Sequence, residues 1–187
     1  SSSSPGLRLK AEARFTRAAM GGTGASKTSG NYAPTLQPMA SASQEGFDQI
    51  LWLDAQEHAF AEEAGQMNVF FRIGDEVVTP ELSGTILPGI TRESVITLLE
   101  SWGITTRSRR VSMAELADAS RSGELLEIFG AGTAAVVAPV TSISHLDKEI
   151  SVAPQIEESL AQRLRETLLG IQHGEIDDPY NWVVPVS

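Results

Sequence analysis

A single lysine, Lys27, sits in the run Gly21-Gly22-Thr23-Gly24-Ala25-Ser26-Lys27-Thr28-Ser29-Gly30-Asn31-Tyr32. Glycines let backbone approach a ligand closely, and a lysine held among them can act as a phosphate clamp or as an amine nucleophile that forms a Schiff base. The two chemistries demand different neighbours. A nucleotide-binding P-loop needs glycine directly before the lysine, and Ser26 stands there instead. Thr28 fits that motif, and Ile50-Leu51-Trp52-Leu53-Asp54 has the form of an apolar strand ending in a carboxylate. Pro34, however, interrupts the helix whose N-terminus would hold the phosphates. Nucleotide hydrolysis is disfavoured.

Schiff-base chemistry finds more support. A lysine that serves pyridoxal phosphate needs a carboxylate for the pyridine nitrogen, a donor for the ring oxygen and a phosphate cradle. Glu63, in Glu63-Ala64-Gly65-Gln66-Met67-Asn68, could keep the ring nitrogen protonated, and Tyr32 could reach the ring oxygen. Gly89-Ile90-Thr91 at a helix start and Gly132-Thr133-Ala134 could hold phosphate through backbone N–H groups and hydroxyls. Taken singly, each feature has an ordinary reading: loop lysines are usually solvated, Gly-Thr helix starts are usually caps, and a tyrosine can be a core aromatic. The Glu-x-Gly-x-x-Asn spacing selects Glu63 over Glu62, which is expected at the surface. Asn68 either orients the site or satisfies local backbone. Arg92 is expected on a helix surface or as an intramolecular partner. His58, His145 and His173 have no ligand spacing, so no metal site is expected.

The elements that must position these residues alternate irregularly between strand and helix. Leu7 to Ala18 reads as an extended segment entering the lysine loop, and Asn31 to Glu45 as a helix bent at Pro38. Strands are expected over 48–53, 67–73, 76–79, 105–111, 125–129, 134–140 and 149–152, with a tight turn at Gly130-Ala131-Gly132-Thr133. Helices are expected after Thr91, with Val95, Leu98, Leu99 and Trp102 as the apolar stripe, and from Ser112, where Glu115 completes a capping box. A last helix spans 157–169 and continues to a stop at Gly174. Without a strict βαβ rhythm, an α+β fold or mixed barrel is favoured over a doubly wound sheet.

The chain has 187 residues and a net charge of −10, which disfavours nucleic acid and anionic membranes as partners. It has no cysteine, so disulfides, thiolate metal sites and thiol catalysis are excluded. No apolar run approaches the roughly 20 residues of a membrane span. Ser1-Ser2-Ser3-Ser4-Pro5-Gly6 reads as linker rather than signal peptide, and the reading is a linker over 1–10, one domain over 11–187, and a start inside a longer protein.

Four segments in register resemble the branched-chain amino acid aminotransferases: Gly22-Thr23-Gly24 to Lys27 with Gly30-Asn31-Tyr32, Glu63 to Asn68, Leu87-Pro88-Gly89-Ile90-Thr91-Arg92, and Phe129-Gly130-Ala131-Gly132-Thr133-Ala134-Ala135. Gly170-Ile171-Gln172-His173-Gly174 and Trp182 extend the likeness to the C-terminus. The resemblance implies the large, C-terminal pseudo-barrel domain of the D-amino-acid-aminotransferase-like fold, with pyridoxal phosphate as cofactor. It implies transfer of the amino group of leucine, isoleucine or valine to 2-oxoglutarate. By motif match, Lys27 forms the Schiff base and shuttles the proton. Glu63 pairs with the pyridine nitrogen, Tyr32 with the ring oxygen, and Ile90, Thr91 and Thr133 with the phosphate. Thr133 and Ala134 face the substrate carboxylate. Burial beside the cationic ring system is expected to lower the lysine pKa. The resemblance also implies branched-chain amino acids and 2-oxo acids as ligands, an N-terminal domain of the same enzyme as partner, a homodimer, and a cytoplasmic location with mitochondria the alternative. Two alternatives stay open. One is a truncated cofactor-binding fragment without efficient turnover. The other is a relative of D-amino acid aminotransferase or aminodeoxychorismate lyase.

Overall fold

Several short segments of this chain are buried at nearly every position, namely β2 (Gln49–Leu53), β3 (Ala61–Ala64) and β7 (Leu125–Gly132), and β4 (Met67–Ile73) is buried from Asn68 to Phe71. Strands of this kind need cover on both faces, from closure of the sheet, from helices, or from both. The computed structural model, which describes residues 6–153 and 159–184, has both. Its nine strands form one mixed sheet, in which the path β3-β2-β1-β8-β7-β4 is closed by pairing of β3 with β4. β1 (Leu7–Glu12) lies between β2 and β8 (Val136–His145) and runs parallel to both. β5 (Glu76–Thr79) and β6 (Thr105–Ser108) extend the sheet from β4, and β9 (Lys148–Ser151) pairs with β8. This is the α+β pseudo-barrel expected from the sequence.

Alternation along β4 distributes its side chains between two cores. Val69 and Phe71 pack with Leu9, Leu53, Ile128 and Ile143, and with Met113 and Leu116 of α3 (Met113–Ser122). Phe70 stacks on Phe129 at 5.2 Å, within a second core that takes Val95, Leu98 and Leu99 from α2 (Ile90–Ser101) and Leu164 and Leu168 from α4 (Leu160–His173). α1 (Leu36–Gln44) covers Ile50 and Trp52 through Ala42. Buried Glu127 anchors α4 by accepting hydrogen bonds from the Ser159 hydroxyl and from the backbone N–H groups of Leu160 and Ala161, which are otherwise orphaned at a helix start.

The structure moves several boundaries. Residues 1–5 and 154–158 lie outside the described residues, but the linker expected over 1–10 ends early, because Leu7 to Lys10 belong to β1 at the centre of the sheet. The helix expected from Asn31 begins at Leu36, after two 3₁₀ turns. Pro38 lies in its first turn, where a missing N–H removes no helix bond, and so does not bend it. Gly130 and Gly132 continue β7 rather than turning, because the Met67 side chain packs where their Cβ atoms would be. The Ser112 hydroxyl accepts from Glu115 N–H as a cap, while the Glu115 carboxylate turns to Arg109 instead of closing the box.

Candidate active site

The lysine loop is tied down by two residues of its own neighbourhood. Asn31 accepts a hydrogen bond from the Thr23 hydroxyl and donates to the carbonyls of Thr23 and Ser26, which knots the turn just before Lys27. Gly24 is buried against the segment before α2: a Cβ there would lie 2.5 Å from Thr85 Cα, so only glycine allows the two loops to touch. Lys27 itself is exposed, on the rim of a cavity of about 560 Å³ that it shares with Trp52, Gln66, Met67, Thr133 and Ala134.

Glu63 and Asn68 are cross-strand neighbours in the β3–β4 hairpin. Glu63 Oε1 accepts from Leu87 N–H at 2.9 Å, and Asn68 Nδ2 donates to the Leu87 carbonyl at 2.9 Å. Asn68 Oδ1 also fills the space where Gly89 would carry a side chain. The hairpin therefore fixes the loop that delivers Gly89 to the start of α2. Gly89, as N-cap, supplies no side-chain acceptor, which leaves the N–H groups of Ile90 and Thr91 open to an anion.

Burial governs the acids here. Glu63 is 4% exposed, and burial pushes its carboxyl up to about 7, opposed by Arg17 and the Leu87 N–H and reinforced by Glu62. Arg17 Nε lies 2.6 Å from Glu63 Oε2, with both groups almost wholly out of solvent. Glu62 is also buried, not at the surface as expected, because β3 has no exposed face. Burial raises its carboxyl as well, against a hydrogen bond donated to Oε1 by the Thr85 hydroxyl.

Beyond β7, residues 133–135 form the turn that leads to Val136, whose φ of 57° is rare for a β-branched residue. Glu63, Asn68 and the Leu87–Thr91 segment thus form one cluster, and Lys27, Thr133 and Ala134 share one cavity. Tyr32 is half-buried and, like Glu63, Ile90 and Thr91, does not line that cavity. The burial expected for Lys27 is not provided by this chain: the loop packs through buried Gly24 and Asn31, and Lys27 stays exposed. Arg92 is buried and bonds to Pro80 O and Ser108 Oγ, as an intramolecular partner. Sequence reasoning passed over Arg17 and Asn31, although both lie within or near the motif. An arginine amid the apolar residues Ala18 and Ala19 was the available signal.

A family model described as amino-transferase class IV matches residues 5–143. The chain belongs to the class IV aminotransferase family. It is 48% identical over 180 residues to branched-chain-amino-acid transaminase 1 of Bacillus subtilis (strain 168), covering 96% of this chain and 51% of that protein. To branched-chain-amino-acid aminotransferase of Mycolicibacterium smegmatis it is 43% identical, over 92% of this chain and 48% of that one. The chain spans about half the length of the curated relatives it matches. Among solved structures, branched-chain amino acid aminotransferase from Escherichia coli superposes with a TM-score of 0.79 at 28% identity, over 95% of this chain and 56% of that one. A T.th. branched-chain amino acid aminotransferase, complexed with N-(5'-phosphopyridoxyl)-L-glutamate, gives a TM-score of 0.77 at 30% identity, over 96% of this chain and 56% of that one. No helix among the described residues is long and apolar enough to cross a membrane.

Proposed function

We propose that this chain is the cofactor-bearing half of a branched-chain aminotransferase, which uses pyridoxal phosphate to move the amino group of leucine, isoleucine or valine to 2-oxoglutarate. One observation carries the reading: direct hydrogen bonds join the Glu63–Asn68 hairpin to the loop before α2, and Arg17 ties both to the lysine loop, beside a cavity that Lys27 shares with Thr133 and Ala134. The residues fit the cofactor on their own terms. Gly24 and Gly89 admit close backbone contacts, the α2 start is uncapped, and Glu63 has a buried cation beside it.

When bound, pyridoxal phosphate supplies a conjugated ring that withdraws electrons from the carbon bearing the amino group. Lys27 holds the cofactor and carries the proton at Nζ. Glu63 keeps the ring nitrogen protonated, and Tyr32 is assigned to the ring oxygen. The N–H groups of Ile90 and Thr91 and the Thr133 hydroxyl hold the phosphate, while the Thr133–Ala134 backbone orients the substrate carboxylate. Fixed donors of this kind stabilise charge without reorganising. The preceding N-terminal domain and a second copy are the partners proposed. Exposed Phe15, Met20, Leu36, Leu82 and Ile90, all on the loops and helix starts of this region, support an apolar contact there.

A second reading, cofactor binding without efficient turnover by this chain alone, is favoured by the exposure of Lys27. Absorbance spectra with added pyridoxal phosphate, before and after leucine, separate the two, with Lys27→Ala as control. A lysine-dependent band that leucine shifts supports the transaminase. A lysine-dependent band that leucine leaves unchanged supports the second reading. No lysine-dependent band overturns both.

A further inference from the structure

Arg17 lies in the loop between β1 and the lysine loop, yet it is 4% exposed. Its guanidinium reaches three separate segments. Nε stands 2.6 Å from Glu63 Oε2, and Nη2 donates to the carbonyl of Gly24 at 3.2 Å and to that of Thr85. Gly24 belongs to the lysine loop, and Thr85 leads to the Leu87–Thr91 segment. A planar fork suits this task, because one rigid group can serve several acceptors, whereas a lysine offers a single flexible point charge.

We propose that Arg17 is the positioning residue of this site: it favours the ionised form of Glu63 in a dry setting and locks that carboxylate to the lysine loop. The proposal rests on the assignment of Glu63 to the ring nitrogen, but the pairing itself can be tested without cofactor. The charged groups acting on Glu63 are Arg17, which favours its carboxylate, and Glu62, which opposes it; the Leu87 N–H is the remaining polar contact. With Arg17 in place, burial already raises Glu63 to about 7, so losing the guanidinium shifts it further toward the neutral acid. A neutral acid cannot hold a ring nitrogen in its protonated form. Arg17 never touches the reacting atoms in this scheme and acts through Glu63.

The test uses the full chain, with the Glu63 carboxyl followed by carbon-13 NMR titration and assigned through Glu63→Gln. In Arg17→Met the Glu63 titration is expected to move up by about 1–3 pH units. Arg17→Lys should restore most of the native titration, while the contacts to Gly24 and Thr85 stay lost. Pyridoxal phosphate binding, read as the Lys27-dependent band, should weaken in Arg17→Met at neutral pH, about tenfold for each pH unit by which the Glu63 titration rises. Arg17→Met added to Glu63→Gln should cost less than the sum of the two single losses. A Glu63 titration unmoved in Arg17→Met overturns the proposal, as do losses that simply add in the double variant. If Arg17→Met does not fold, Arg17→Lys decides: a near-native Glu63 titration with weakened binding supports the proposal, and unaltered binding overturns it. If wild type shows the Arg17-dependent titration but no lysine-dependent band, the cofactor assignment fails while the pairing stands.

Discussion

Glu63 and Asn68 face each other across the β3–β4 hairpin and grip the same residue from its two polar ends, with Glu63 accepting the N–H of Leu87 and Asn68 donating to its carbonyl. The arrangement makes an acid and an anion-binding helix start parts of one rigid unit. A cofactor that uses both must then match their spacing, because neither can move alone.

Asn68→Asp should expose this coupling. The aspartate keeps the shape but cannot donate to Leu87 O, leaving that carbonyl without its partner at a loss of about 1–3 kcal/mol. Urea unfolding should register the loss, and pyridoxal phosphate titration should show weaker retention. Unchanged binding in a destabilised variant would reduce Asn68 to a structural role.

Two glycines of the lysine loop should respond unequally. Gly24→Ala drives a Cβ to within 2.5–2.7 Å of the Thr85 backbone and is expected to destabilise the fold by about 1–3 kcal/mol. Gly30→Ala meets only the Thr28 hydroxyl at 3.9 Å and should be close to neutral. Chemical denaturation of the pair checks this difference in packing, and equal effects would refute it.

Glu62→Gln tests the buried acid by its pH dependence. In the unfolded chain Glu62 ionises near its ordinary 4.5, whereas burial holds the proton to higher pH in the fold. Its contribution to stability is thus fully present below 4.5 and is lost as pH rises through the folded value. Glutamine never ionises, so Glu62→Gln should gain stability on wild type between about pH 4 and about pH 8. Urea midpoints at the two ends measure the gain, and a constant difference would show that Glu62 does not titrate in this range.

Glu127→Ala should unlatch α4. It removes one carboxylate that serves the Ser159 hydroxyl, the N–H groups of Leu160 and Ala161, and Arg72 at 3.0 Å. A loss on the order of 3 kcal/mol is expected, with hydrogen exchange accelerating first along α4. Ser112→Ala, which removes a single cap from α3, should cost only about 1 kcal/mol.

The chemistry on offer was legible in the chain before any fold was known. Lys27 among glycines, the Glu63–Asn68 motif and the Leu87–Thr91 and Gly132–Ala134 runs are local patterns, and local patterns survive without knowledge of the fold. The same is true of β4 and β5, of the Ser112 cap and of the stop at Gly174, each set by residues within a few positions of one another. Other features depend on partners distant in the chain, and those needed the folded molecule. Glu62 looked like a surface acid until closure of the barrel buried both faces of β3. Gly130 and Gly132 looked like a turn until Met67 packed against them in β7. Arg17 gave no local sign of its role, because its carbonyl partner at Thr85 lies 68 residues away. A buried cation is stable only where acceptors converge on it, and that convergence is a property of the closed sheet rather than of any one segment.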